Sequence, residues 1–201
     1  FRKRMEAEGL PELVIETFRH QYEQLVAGES GLMPESALES VDDLPDFGDY
    51  SMANRTYKYY EGEPLYPFGH GLSYTSFDYS GLSVPETHDA SEPLPVSVTV
   101  TNTGDMPGRE VVQAYIQHQD RAHAAIPQVE LVAFEVVELA PGESQTVSLT
   151  LSAERIGYYA IDGKFVTPQG TEAILSLGSG QPGFVKDSAI KTSSVRFERN
   201  E

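Results

Sequence analysis

Val96-Ser97-Val98-Thr99-Val100-Thr101, closed by Asn102-Thr103-Gly104-Asp105, is the stretch that decides how this chain folds. Three valines fall on every second residue, with hydroxyl side chains between them. Successive side chains of a strand point to opposite faces, so the spacing sends the valines to a core and the hydroxyls to water. The Asn-Thr-Gly-Asp run is turn chemistry: short polar side chains that bond their own backbone, and a glycine free of steric limits. The same period returns further along. Val147, Leu149 and Leu151 alternate with Ser148 and Thr150, and Ala173, Leu175 and Leu177 alternate with Ile174 and Ser176. Pro141-Gly142, Asp162-Gly163 and Gly178-Ser179-Gly180 supply further turns. The pattern predicts strands near 77–84, 96–101, 110–117, 131–138, 145–151, 164–167, 172–177 and 190–197. Many short strands without intervening helices read as a mainly β, antiparallel β-sandwich. One core is expected from Val96, Val98, Val100, Val112, Ala114, Ile116, Val147, Leu149, Leu151, Leu175 and Leu177.

Upstream the period changes. Leu10, Val14, Phe18 and Tyr22 recur every fourth residue, one apolar face of a helix expected over 11–27, with Pro11 in its first turn and Gly28 past its end. Between helix and sandwich lies a Pro- and Gly-rich stretch read as irregular. It carries Tyr57, Tyr59, Tyr60, Tyr66 and Phe68, and His70 flanked by Gly69 and Gly71. Its tyrosines offer too much apolar area for disorder. The organisation expected is thus 1–41 helical segment, 42–73 aromatic linker and 74–201 sandwich domain.

Composition narrows the partners. The 201 residues hold 14 Lys and Arg against 31 Asp and Glu, a formal net charge of −17. Such a field repels phosphate backbones and anionic lipid, so neither nucleic acid nor a membrane is an expected partner. There are no cysteines, which excludes disulfides, thiolate zinc sites and a cysteine nucleophile. Phe1-Arg2-Lys3-Arg4 opens without Met or a following apolar stretch, and reads as a chain cut from something longer or as an incomplete gene product.

The segment Arg55-Thr-Tyr-Lys-Tyr-Tyr-Glu-Gly-Glu-Pro-Leu-Tyr-Pro-Phe-Gly-His-Gly-Leu-Ser-Tyr-Thr75 resembles the entry to the last domain of family 3 glycoside hydrolases, most specifically from Tyr66 to Thr75. Val98-Thr-Val-Thr-Asn-Thr-Gly104, Gly108-Arg-Glu-Val-Val-Gln-Ala-Tyr115, Glu130-Leu-Val-Ala-Phe134 and Leu139-Ala-Pro-Gly-Glu143 resemble that family's fibronectin III-like (immunoglobulin-like) domain. The resemblance implies a non-catalytic accessory domain of a β-glucosidase- or β-xylosidase-type enzyme, with the parent's catalytic domains as partner. Retaining hydrolysis needs a nucleophile and an acid/base about 5 Å apart; in the family both precede this segment, so no catalytic residue is carried over. Phe18 to Glu35 instead resembles the N-terminal helix of bacterial UTP–glucose-1-phosphate uridylyltransferases, without the glycine-rich nucleotide loop. That end reads as foreign, joined near Asp42–Pro45.

No cofactor or metal is expected. Asp42-Asp43, Glu61 and Glu63 read as solvated loop acids. Asp105, Glu110, Glu130, Glu143, Glu154, Asp162 and Glu172 fall in turns and on polar strand faces, and are expected to be ordinary solvated carboxylates. His118 and His123, with Asp120 near, lack the third ligand and spacing that a metal site wants. No GxSxG elbow surrounds Ser73, Ser76 or Ser80. The residues left as a candidate site are Tyr57, Tyr59, Tyr60, Tyr66, Phe68 and His70, as domain-contact groups or as sugar-stacking platforms, with packing between domains the favoured use. A homodimer and a stand-alone carbohydrate-binding or protein-interaction module stay open as alternatives.

Overall fold

The computed structural model describes residues 56–60, 62, 64, 66–119, 126–159 and 163–198. The helix expected over 11–27 and the uridylyltransferase-like segment lie outside them. The chain divides into two compact units, Phe1–Pro67 and Phe68–Glu201. Within the first, a single helical turn, α1 (Thr56–Tyr59), interrupts a stretch expected to be irregular. Its closing bond runs from the Tyr60 N–H to the Thr56 carbonyl at 3.1 Å.

The second unit is the sandwich. Its strands are β1 (Phe77–Ser83), β2 (Thr87–His88), β3 (Leu94–Asn102), β4 (Gly108–His118), β5 (Glu130–Leu139) and β6 (Ser144–Leu151), followed by a helical turn α2 (Ala153–Ile156). Then come β7 (Tyr158–Tyr159), β8 (Phe165–Val166), β9 (Thr171–Gly178) and β10 (Ile190–Phe197), with a 3-10 turn over Asp187–Ala189. One sheet has the order β1-β3-β6, the other β2-β10-β9-β4-β5, and β7 and β8 form a small hairpin. All eight predicted strands are present. The antiparallel expectation needs one correction, because β2 runs parallel to β10 through Thr87 and His88. Thr87-His88 carries too little pattern to announce a strand, and this pair exists because the fold brings it together.

Period two translates directly into burial. Along β3, Leu94, Val96, Val98 and Val100 are buried, while the residues between them are exposed or half-buried. Their register partners on β6 include Leu151, Leu149 and Val147, which complete the inner layer of that sheet. From the facing sheet come Val112, Ala114, Ile116, Leu175, Leu177, Val195 and Phe197, in one continuous core. All eleven residues expected to line it do so. Burying a branched aliphatic side chain contributes roughly 1.5–3 kcal/mol, so these rows are the main favourable term.

Asn102 finishes β3 and is fully buried. Its amide donates to the Met106 carbonyl at 2.8 Å and the Leu139 carbonyl at 3.0 Å. Its Oδ1 accepts from the Thr75 hydroxyl at 2.7 Å and the Gly104 N–H at 3.1 Å. One side chain therefore joins the start of β1, the turn after β3 and the end of β5. Pro141-Gly142 turns β5 into β6 with Gly142 at φ +75°, a left-handed conformation that favours glycine.

Candidate functional site

The site grows from the outer face of β4. On an edge-side pair of strands, Arg109, Val111, Gln113 and Tyr115 should alternate toward water. Their register partners on β5 are Glu138, Val136, Phe134 and Leu131. Yet Tyr115 has no exposed surface and Gln113 retains 5%. The reason is a strap, Phe68 to Ser73, that leads toward β1.

A closed polar network holds the strap down. Gln113 Nε2 donates to the Gly69 carbonyl at 3.2 Å and the Ser179 carbonyl at 2.9 Å. The Tyr115 hydroxyl donates to Gln113 Oε1 at 2.5 Å and lies 3.4 Å from the Phe68 carbonyl. Gln181, also buried, grips Phe68 twice: its Oε1 accepts the Phe68 N–H at 3.2 Å, and its own N–H donates to the Phe68 carbonyl at 3.3 Å. Gly69 sits at φ +77°, and a Cβ there would run into Gln113 Oε1. Backbone groups that would otherwise cost about 1–3 kcal/mol each if buried unpaired are satisfied by side chains instead.

Pinned backbone leaves apolar side chains facing out. Leu72 is 95% exposed, Tyr74 96% and Phe134 61%, with Phe68 partly exposed. Between strap and sheet runs an open groove of about 490 Å³, lined among others by Phe68, Leu72, Val111, Leu131, Phe134 and Val185. His70, Arg109 and Gln113 also reach it. Monomeric proteins seldom leave contiguous apolar groups uncovered without a binding purpose.

Of the six residues singled out in the sequence, Phe68 and His70 lie on this strap. His70 is exposed, and Phe68 carries its side chain toward the groove while its backbone is clasped. Tyr57, Tyr59 and Tyr60 belong to the first unit and are half-buried; Tyr66, in the same unit, is largely exposed. Sequence reasoning missed Gln113, Tyr115 and Gln181, which fix the strap, and the exposed Leu72 on the strap, Tyr74 just after it and Phe134 on β5.

His118 is buried and meets the Tyr158 ring edge-on, with centroids 5.2 Å apart. Burial pushes its imidazole below the ordinary value, against the pull of Glu130 and a bond to the Ile156 backbone. Among the described residues no group of three His, Asp or Glu side chains could hold a metal ion; His123 and Asp120 lie outside them. Asp105, Glu143, Glu154 and Glu172 are exposed acids as expected. Glu143 accepts the Ala140 N–H at 2.8 Å, and Glu172 pairs with Arg196 at 3.3 Å. Glu110 departs from the expectation of a solvated carboxylate. Its Oε1 accepts the Tyr79 hydroxyl at 2.8 Å, and burial raises its carboxyl above the usual range. Its carboxyl is engaged by a core phenol rather than by a second carboxyl across a sugar-sized pocket.

Residues 110–179 match the family model of the fibronectin type III-like domain. A thermostable beta-glucosidase B of Acetivibrio thermocellus is 38% identical over 144 residues, which cover 69% of this chain and 19% of that protein. A putative beta-xylosidase of Formosa agariphila is 35% identical over 174 residues, 82% of this chain and 22% of the other. Among solved structures, a beta-glucosidase from Listeria innocua in complex with glucose aligns with a TM-score of 0.60 at 32% identity. It covers 68% of this chain and 18% of its own. The chain spans about a fifth of the length of the curated relatives it matches. The uridylyltransferase resemblance of residues 18–35 gains no support from these comparisons.

Proposed function

We propose that this chain is the non-catalytic C-terminal accessory domain of a family 3 glycoside hydrolase, one that acts on β-glucosides or β-xylosides. The observation that carries the reading is the clasped strap. A closed network of Gln113, Tyr115 and Gln181 holds the strap backbone, and Leu72 and Phe68 on it, with Tyr74 after it and Phe134 on β5, are exposed to solvent. A domain that stabilises a larger enzyme needs such a rigid apolar surface, because pre-ordered groups lose less entropy on docking. The partner it fits is the catalytic part of the parent enzyme. Residues 42–73 then serve as the linker between that part and the sandwich of 74–201, with Phe68 and His70 as contact groups. Identity with relatives named for glucosidase and xylosidase activity supports the sugar class.

The test is an exchange. In a β-glucosidase relative, the aligned C-terminal segment is replaced by the matching part of this chain. The chimera is expected to stay soluble and active, and Leu72→Asp with Phe134→Asp in it to lower its melting temperature. A chimera that is inactive while its sandwich is folded would refute the accessory role.

One observation favours a second reading. Tyr66 and Phe68 are exposed aromatics of the kind that stack on sugar rings. A stand-alone carbohydrate-binding module would give saturable heat on titration with soluble xylo- or gluco-oligosaccharides, abolished by Phe68→Ala. The accessory reading expects no such heat.

A further inference from the structure

Glu110 leaves the inner side of β4, in line with Val112, Ala114 and Ile116, and its β5 register partner is Val137. From the facing sheet, Tyr79 on β1 reaches it across the gap, donating its hydroxyl to Oε1 at 2.8 Å. Tyr79 is only 3% exposed. One acid and one phenol thus join the two sheets at the end of the core. The strap enters at this same end. Thr75 bonds Asn102 here, and a Cβ on Gly108 would come within 3.2 Å of the Phe77 ring.

The charged neighbours point elsewhere. Arg109 and Glu138 are cross-strand partners and both exposed, and Asp78 is exposed beside Tyr79. From β5 the group opposite is Val137. Among the described residues Tyr79 is the titratable group that touches the Glu110 carboxyl. Desolvation is the larger influence on that carboxyl and favours its neutral form, while the bond from Tyr79 favours the anion. The phenol itself is pushed far above its ordinary value, first by burial and then by Glu110.

We infer that the Glu110–Tyr79 pair is a proton-dependent clasp between the two sheets at the strap end of the sandwich: the domain is most stable while Glu110 is a neutral acid, because withdrawing the charge from water outweighs the stronger bond that Tyr79 gives the anion. The direction follows from proton linkage. An acid whose folded value is raised holds its proton longer in the native state than in the unfolded chain. Its stabilising contribution is complete below the ordinary glutamate value of about 4.3 and is lost as pH rises through the folded value. Ionisation puts a charge on the inner side of β4, in line with Val112, where part of its hydration is lost.

The experiment is chemical denaturation of the full chain from about pH 4 to pH 8, the range in which a raised carboxyl titrates. Wild type is compared with Glu110→Gln and with Glu135→Gln, which removes an exposed acid of the same strand pair. Wild type should lose midpoint denaturant concentration relative to Glu110→Gln as pH rises, and Glu135→Gln should track wild type. Carbon-13 NMR of the folded chain supplies a second reading. The Glu110 carboxyl should titrate above the ordinary glutamate range, and Tyr79→Phe should move that midpoint further up by removing the donor. If Glu110→Gln does not fold, the carboxyl titration decides alone. Parallel pH profiles for wild type and Glu110→Gln, or a folded-state Glu110 that titrates in the ordinary range, would overturn the clasp.

Discussion

The outer faces of the two sheets were built from the same period and ended differently. On the three-stranded sheet, Ser97, Thr99 and Thr101 pair in register with Ser148, Thr146 and Ser144. Their hydroxyls bond across the strands, Thr99 to Thr146 at 3.0 Å and Thr101 to Ser144 at 2.8 Å, and face water. On the five-stranded sheet, Gln113 and Tyr115 occupy the equivalent outward positions of β4, yet they are buried beneath the strap. A hydroxyl row in water can lose a member at little cost. A polar network under a cover cannot, because each group left unpaired must do without both its partner and solvent. The difference teaches where this domain is rigid: under the strap, where backbone bonds depend on single side chains.

The largest effect expected lies between the faces, in the shared core. Val98→Asp places an unpaired charge at a fully buried position and should cost roughly 4 kcal/mol or more, enough to unfold the domain at ordinary temperature. A variant that melts like wild type would mean the register of β3 is wrong. Next, Gln113→Ala strands the carbonyls of Gly69 and Ser179 and the hydroxyl of Tyr115; a loss of about 2–3 kcal/mol is expected by denaturation. The Phe68 amide should exchange its hydrogen faster at the same time. Unchanged exchange would mean the strap is held by something else.

Gly69→Ala sharpens the contrast against Gly142→Ala. Both glycines have positive φ, but the space at Gly142 is open while the one at Gly69 meets Gln113. The open site should lose about 1 kcal/mol from backbone strain and the strap site clearly more. Equal losses would remove the claim that the strap lies tight. Thr146→Val on the water-facing row should change stability by less than about 0.5 kcal/mol.

His118 gives the comparison a pH arm. Its folded value is depressed by burial, so the native state binds fewer protons than the unfolded chain. The stability tied to it is present above about pH 6.5 and is lost as pH falls through the folded value. Melting temperatures followed down through that window should drop faster for wild type than for His118→Gln. Coincident curves would show that the imidazole charges without disturbing its contact with Tyr158.

The fold was legible where neighbours in sequence decide burial. Val96 to Thr101, Val147 to Leu151 and Ala173 to Leu177 announce their inner faces because period two is a local property. Of the two-residue strands, β8 was legible and two were not. Thr87–His88 and Tyr158–Tyr159 pair through bonds that the rest of the fold arranges. Ser176 shows the same limit: it alternates as an outward residue, yet is fully buried and bonded to Thr192 at 3.0 Å. At the candidate site, the resemblance pointed to Phe68 and His70, but not to the residues that make the strap rigid. Gln113 and Tyr115 look like ordinary outward residues until the strap, more than forty residues upstream, is laid over them. Glu110 was misread for a related reason: nothing adjacent in sequence says that a phenol on β1 will meet it.

We propose that this sandwich assists glycoside cleavage without performing it. Highly purified chain, incubated with the nitrophenyl β-glucoside and β-xyloside, tests that most directly. The prediction is nitrophenol release no faster than in buffer. Turnover that survives further purification and disappears when one carboxylate, such as Glu110 in Glu110→Gln, is replaced would contradict it.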